Sequence, residues 1–495
     1  MGTLKSPSPA TREFLSTTRP LLIDGAWRSG SAGDAPAINP ADGSTIGRFS
    51  LASPADIDAA VAAARRAFES PAWRELAPSD RARILWRIAE LIERDAQCLA
   101  ELEALDGGKL YRAALQGDVA IAAEAFRYHA GWCTKLSGEE LNIGPRSSGF
   151  HCYMRREPMG VAALIVPWNG PIAMSCWKLA PALAAGCTAI LKPPEQASLS
   201  VLRFGALLAE AGLPAGVVNI LAGPGSSVGA ALADHAGIDK ISFTGSTTTG
   251  RSIVRAAAGN LKKVTVELGG KSPAIVCADA DLDAAARGVA DGIFGNAGQV
   301  CVASSRLYAE RSVYDALLER IVRIARALRV GPGLDPASEM GPLISSEHRA
   351  QVASMVNRAV ADGAQLAAGG KPLDGPGFFY PPTVLGGLRA DMPIVREEVF
   401  GPVLCVLPFD DIDSVIAAAN DSIFGLAASV WTCDIRKAHR IESGLRAGLI
   451  WVNAHGVPNV AVPFGGYRQS GWGREQGREA IESYMELKSV MVSLA

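Results

Sequence analysis

One cysteine and one glutamate stand in settings unlike those of their kind elsewhere in the chain. Cys301 lies in GNAGQVCVASSR (residues 295–306), where Gly295, Gly298, Gln299 and two serines suit close approach of a ligand better than a packed core. A buried inert thiol is the usual state of a free cysteine, but a thiolate in such a segment would be a nucleophile. Glu267 lies in VELGGKSP (266–273), at the end of a β-rich run. An ionised glutamate is costly to bury on an apolar strand. Glu267 is therefore either an ion-paired structural residue or a base whose pKa is raised by desolvation; composition leaves both open.

Two glycine-bearing stretches could also serve a ligand. GSTTTGRS (245–252) has the spacing of a phosphate-binding loop, except that Arg251 replaces the lysine that must reach the phosphates, which disfavours an NTPase. Gly245 and Ser246 at a helix start still offer an anion site, because free N–H groups and the helix dipole converge there. A glycine turn with a serine cap accounts for them equally. Gly225 to Gly229 read G-x-S-x-G with Ser227 in the nucleophile position. A serine hydrolase would need an acid and then a histidine downstream. His348, His439 and His455 follow in no recognisable triad context, so a glycine-rich turn is preferred.

These residues need elements to hold them. Strand candidates near 161–166, 188–191, 217–221 and 240–243 alternate with helical runs at 199–211 and 228–235. That alternation implies βαβ units and a parallel sheet buried on both faces, with a nucleotide site at the carboxyl ends of its strands. A second alternation starts at Val264, with strands near 264–268, 274–277, 307–309, 403–407, 427–431 and 449–452. Helices near 282–291, 313–328, 347–361, 412–419 and 435–442 lie between them, and 363–382, rich in Gly and Pro, reads as a loop. Upstream, apolar residues at helical spacing predict helices over 56–68, 79–105 and 113–135.

At roughly 150 residues per unit, a chain of 495 residues should hold about three units. Its 48 Lys+Arg and 50 Asp+Glu are interspersed, which leaves no electrostatic footprint for nucleic acid or an anionic membrane. No stretch approaches the ~18 consecutive apolar residues of a membrane span. Residues 1–20 lack an apolar signal-peptide core and read as a flexible leader, although Gly2 and Ser6 match the loose myristoylation pattern. The nine cysteines are odd in number, scattered and free of C-x-x-C pairs. Neither a disulfide framework nor a metal site is indicated, and the expected compartment is the reducing cytoplasm.

Taken together, PWN (167–169), KPPE (192–195), FTGS (243–246), ELGG (267–270), the GQ-x-C ending at Cys301, EEVFGP (397–402) and PFGGYRQSGWGRE (463–475) resemble the aldehyde dehydrogenase superfamily, in order and spacing, over nearly the whole chain. The resemblance implies an α/β fold with a Rossmann-type cofactor domain, a second α/β catalytic domain and a small β oligomerisation element. It implies Cys301 as nucleophile, Glu267 as general base, Asn169 as oxyanion donor and Lys178 in the proton-transfer network behind the base. Lys192 and Glu195 would take the adenosine ribose, Gly245 and Ser246 the pyrophosphate, and Glu398 and Phe400 the nicotinamide ribose and its packing. Ile165, Pro167, Trp168, Gly225, Gly229, Phe243, Leu268 and Gly269 complete the implied cofactor surface. The presence of Glu267 argues for hydrolysis to the free acid, since acyl-coenzyme A-forming members generally lack it. Glu195 would hydrogen-bond a free ribose 2′-hydroxyl and repel a 2′-phosphate, which favours NAD; Lys192 nearby leaves NADP use open.

The departures concern the substrate. Many members place an aromatic residue after the asparagine, where this chain has Gly170, and another six residues before Phe464, where it has Pro458. With Val300 and Val302 beside Cys301, and Trp177 and Phe464 as aromatic walls, the expected tunnel is wide and apolar and fits a bulky apolar or aromatic aldehyde. The expected division is a leader at 1–20, a discontinuous cofactor domain at 21–135 and 158–266, a catalytic domain at 267–470, and an oligomerisation element at 136–157 and 484–495. A homodimer or homotetramer is implied. Two other readings compete: a serine hydrolase centred on Ser227, and a catalytically silent member of the family.

Overall fold

A computed structural model describes residues 6–144 and 149–494; Gly2 of the myristoylation pattern lies outside them. Five apolar runs form the parallel centre of an eight-stranded sheet, in the spatial order Lys263–Glu267, Lys240–Thr244, Val161–Ile165, Thr188–Lys192, Val218–Ile220. Every residue of Val161–Ile165 and Thr188–Lys192 is buried, as a strand covered by helices on both faces requires. From Val161–Ile165 the chain steps outward to Thr188–Lys192 and Val218–Ile220. It then crosses back to lay Lys240–Thr244 on the other side. Between those two central strands the winding reverses, and a crevice opens beyond their carboxyl ends. Short antiparallel strands cap the sheet: Leu21–Ile23 and Ala26–Arg28 at one edge, Gly471–Trp472 at the other.

A second sheet of seven strands runs Gln365–Ala368, Thr383–Gly386, Val403–Phe409, Arg306–Glu310, Pro273–Val276, Ala427–Trp431, Leu449–Val452, parallel except at the first pair. Each large sheet has its own apolar core, one drawing on residues up to Leu268 and again on Ile481 and Tyr484, the other on residues between Ala274 and Leu445. The backbone passes from one to the other just after Glu267, which sets that residue at the seam. A third, antiparallel sheet joins Met485–Ser493 to Phe150–Pro158 and Glu139–Glu140. Among the described residues no helix is long and apolar enough to cross a membrane, and no cluster of ligating side chains could hold a metal ion.

Several expectations need correction. From Ser8 onward the leader is packed: Ser8 caps the helix Pro9–Leu15, Phe14 and Thr11 are buried, and Ser8 Oγ donates to Glu101 (2.7 Å). The leader is too polar for its anchor, a buried carboxylate, to show as apolar periodicity. The single helix expected at 79–105 is two, Pro78–Arg94 and Ala96–Asp106, separated at Asp95. The one expected at 113–135 is broken by a π turn at Ala114–Val119 before Ala120–Ala130. The presumed loop at 363–382 contains the edge strand Gln365–Ala368, whose pairing with Thr383–Gly386 overrides weak β propensity. Beyond 470 the chain returns to the first sheet through Gly471–Trp472, a return that the expected domain limits omit.

Candidate active site

The seam encloses a cavity of about 990 Å³ walled by both sheets. Into it run Pro167, Trp168, Asn169 and Gly170 after the strand Val161–Ile165; Gly245 and Ser246 after Lys240–Thr244; and Glu267, Leu268 and Gly269 at the end of Lys263–Glu267. Val300, Cys301, Val302, Glu398, Phe400, Pro458, Phe464 and Trp177 complete the walls named by the sequence.

Cys301 follows a tight turn at Gly295–Gly298 in which Asn296 and Ala297 hold positive φ values of 48° and 54°. Left-handed backbone on such residues persists only where the surroundings impose it. The surroundings here are Gln299, whose side-chain oxygen accepts from the Ile344 amide (2.9 Å) and whose Nε2 donates to the Asn296 carbonyl (3.0 Å). A side chain on Gly270 would press on the Cys301 carbonyl, at 2.5 Å from its Cβ. Burial, then the carboxylates of Glu398 and Glu267, push the Cys301 thiol up to about 12. The other cysteines carry no such geometry, and all nine are free.

Asn169 donates one N–H of its side-chain amide to the Gln299 carbonyl (2.9 Å), which leaves the second N–H to the cavity. Glu267 is fully buried, and neither carboxyl oxygen has a hydrogen-bond partner. Burial first, then the charge of Glu475, push its pKa well above the usual carboxylate range, while Lys178 and Arg474 oppose the shift. Lys178 does not reach the cavity wall. It is ion-paired with Glu475 and donates to Ser242 Oγ (3.1 Å), which in turn donates to Glu475 (3.1 Å). Burial beside a second carboxyl thus favours the protonated form of Glu267.

Toward the other end of the cavity the helix Thr247–Ala257 begins with Ser246 as its N-cap, and backbone from Thr244 to Thr248 lines the wall. Phe243 lies beneath Gly245, where a Cβ would meet its ring at 2.5 Å. Glu398 accepts from the Gly270 amide (2.9 Å) and leaves no room for a side chain on Gly269; burial pushes it up to about 7. Phe400, at φ 54°, packs edge-on to Trp168 (centroids 5.3 Å apart) and gives its carbonyl to His348 (2.8 Å). One strand further out, Glu195 accepts from the Gly225 amide (3.0 Å), and Lys192, lowered to about 8 by burial, lies below Gly229. Glycines without room for side chains at 245 and 269, a capped helix start and the carboxylates of Glu398 and Glu195 fit a dinucleotide. Ile165, Phe243, Lys192, Glu195, Gly225 and Gly229 are the remaining sequence candidates that do not line the cavity itself.

Ser227, by contrast, is exposed, and its hydroxyl contacts only the Pro224 carbonyl (3.4 Å). None of the six histidines is hydrogen-bonded to it.

Residues 27–490 match the aldehyde dehydrogenase family. The chain belongs to that family. It is 44% identical to human retinal dehydrogenase 2 over 491 residues, covering 99% of this chain and 94% of the relative. It superposes on an aldehyde dehydrogenase from Bacillus cereus in complex with NAD+ at a TM-score of 0.97 and 44% identity, over 99% of both chains. A betaine aldehyde dehydrogenase from Staphylococcus aureus matches at 0.95 and 37% identity, over 98% of this chain and 97% of that one. Membership makes the protein an aldehyde dehydrogenase-type oxidoreductase of the nicotinamide-dependent kind and disfavours the hydrolase. Lys109, Asp118, Glu475 and Ser242 escaped the sequence reading, and Gln299 was visible there without its structural role. Glu475 ends the GWGRE stretch, and Gln299 precedes Cys301 by two; their motifs were visible but not their partners. Ser242 sits mid-strand and gives no sequence signal at all.

Proposed function

We propose that the protein oxidises a bulky, apolar or aromatic aldehyde to the carboxylic acid with NAD, through a thiohemiacetal and a thioester on Cys301. One observation carries this: Cys301, the free N–H of Asn169 and the unpartnered carboxyl of Glu267 face one enclosed cavity. The Cys301 sulfur attacks the carbonyl carbon, its proton passing to solvent water as the C–S bond forms. The Asn169 amide and the Cys301 backbone N–H stabilise the oxyanion, at about 3–4 kcal/mol per donor. When bound, NAD would be held by Ser246, Glu398 and Glu195 and would accept the hydride. Glu267, whose proton can pass to the Glu475 carboxylate held by Lys178, takes a proton from water as the water attacks the thioester, and the C–S bond breaks to return the Cys301 thiolate, which is reprotonated from solvent. Glu195 favours NAD over NADP by its charge.

Met174, Trp177, Phe464, Val457 and Val462 give the aldehyde end its apolar character, and the Trp177 and Phe464 rings meet at a tilt of 56° with centroids 5.7 Å apart. The first sheet with its helices is assigned the cofactor, the second the cysteine, and the third sheet subunit contact within a homodimer or homotetramer. The free cysteines favour a reducing compartment, the cytoplasm.

The test follows NADH absorbance with a panel of aldehydes. Wild type is expected to form NADH, with bulky aromatic aldehydes ahead of acetaldehyde in kcat/KM, and Cys301→Ala to form none. No NADH from any aldehyde, or full turnover by Cys301→Ala, refutes the reading and leaves the silent-member alternative.

A further inference from the structure

Besides the polar groups assigned above to the reaction and the cofactor, the cavity wall carries a charged pair next to Gly170. Gly170 has no side chain, and the space a Cβ would enter is bounded by Asp118 Oδ1 (3.5 Å), Met174 Cγ (3.7 Å) and Lys109 Nζ (3.8 Å). Lys109 and Asp118 form an ion pair, and both line the cavity. Glu103, fully buried, stands behind them at 3.9 Å from Lys109 Nζ.

The pair is built in. Lys109 is pinned through its neighbours, the Tyr111 amide donating to the Gly333 carbonyl (2.9 Å). Asp118 is carried by the π turn Ala114–Val119, an irregularity that recurs at functional sites. Glu103 accepts from the Ile172 amide (3.2 Å) at the start of the helix that follows Gly170. The notch is thus fixed to the same backbone that carries Asn169.

Resting on the dehydrogenase reading above, we propose that this notch is a polar subsite that binds a hydroxyl group on the body of the aldehyde. An ammonium and a carboxylate side by side select among tails. A carboxylate would face Asp118, and an ammonium would face Lys109. A hydroxyl can accept from Lys109 Nζ and donate to Asp118 Oδ1 at once, and both bonds are charge-assisted. A methyl group of the same size leaves the pair desolvated and unrewarded, which is the situation in which enzymes discriminate most strongly. The substrate class is therefore a bulky aldehyde with an alcohol or phenol hydroxyl.

The experiment compares near-isosteric pairs, the ortho, meta and para hydroxybenzaldehydes and hydroxycinnamaldehydes against their methyl counterparts, in wild type, Lys109→Met and Gly170→Leu. The ratio of kcat/KM within a pair is read for each protein, and comparing that ratio between proteins cancels the intrinsic reactivity of the aldehyde. In wild type at least one hydroxyl compound should exceed its methyl partner by roughly tenfold or more. That preference should collapse toward one in both variants, through loss of the ammonium in the first and a covered notch in the second. If Lys109→Met does not fold, Gly170→Leu, which keeps the ion pair, carries the test. NADH formation with no hydroxyl preference in wild type, or with a preference that Gly170→Leu retains, overturns the subsite and leaves the dehydrogenase reading intact. No NADH from either member of any pair overturns both.

Discussion

At the scale of single residues, the chemistry rests on two groups whose environment favours the protonated form. Burial and neighbouring carboxylates push the Cys301 thiol up to about 12. Alkylation of the cofactor-free protein by iodoacetamide at Cys301 should therefore keep rising with pH through 10, with no plateau near the ordinary thiol value. A plateau below pH 9 would contradict the assignment. Glu267 is shifted in the same direction. A carboxyl with a raised pKa is neutral at pH values where an ordinary one is ionised, so its basic form appears only as pH climbs. Steady-state turnover limited by thioester hydrolysis should then increase with pH above the ordinary carboxylate range. Glu267→Gln should remove that rise and lower turnover by about 10²–10⁴-fold while a single-turnover burst of NADH survives. Loss of the burst together with the steady state would assign Glu267 to the attack of the cysteine instead. Asn169→Ala should lower kcat by about 10²–10³-fold, and an unchanged kcat would exclude the amide as oxyanion donor.

At the scale of elements, the reversal in strand order between Val161–Ile165 and Lys240–Thr244 explains why distant motifs meet. The parallel strands were readable because burial on both faces leaves continuous apolar runs. The motifs were readable because glycines and a free cysteine stand out beside them. What escaped lacks such a mark: the Ser8–Glu101 anchor, the π turn that carries Asp118 and the Ser242 bridge arise from contacts between segments far apart in sequence. Buried acids of the helical layer belong to the same class. Asp106 accepts from the Leu199 amide at the start of the helix Leu199–Glu210 (2.8 Å), and burial pushes it up to about 8. Below the unfolded value near 4, both states hold the proton; above it the unfolded chain releases a proton that the folded chain keeps until about pH 8. Its contribution is thus complete in acid and is lost as pH rises to about 8. Over that window the thermal midpoint of wild type should fall relative to that of Asp106→Asn, which cannot ionise. Equal slopes for the two proteins would show that Asp106 does not titrate there.

At the scale of the whole molecule, the antiparallel strand Met485–Ser493 pairs along its full length with Phe150–Pro158 and, among the described residues, with no second strand, so residues 485–492 form an edge of their sheet. Leu487, Met491, Val492 and Leu494 are exposed on it, and Phe150 on its partner. A long, apolar, open edge is a template for pairing with another chain. A second copy of this chain would satisfy that edge in a closed assembly, because an isologous contact uses the same patch twice. The strand follows directly on Tyr484, whose carbonyl receives the Met159 amide (3.0 Å) and the Cys187 thiol (3.3 Å), so the edge is fixed to the first sheet. Light scattering coupled to size-exclusion chromatography should give two or four times the 51.6 kDa of one chain at micromolar concentration. Leu487→Glu with Met491→Glu places like charges along the edge and should shift the assembly toward monomer, with a lower thermal midpoint as the contact is lost. A wild type that elutes as a monomer at that concentration would mean that the edge is left to solvent or covered by something other than a second copy.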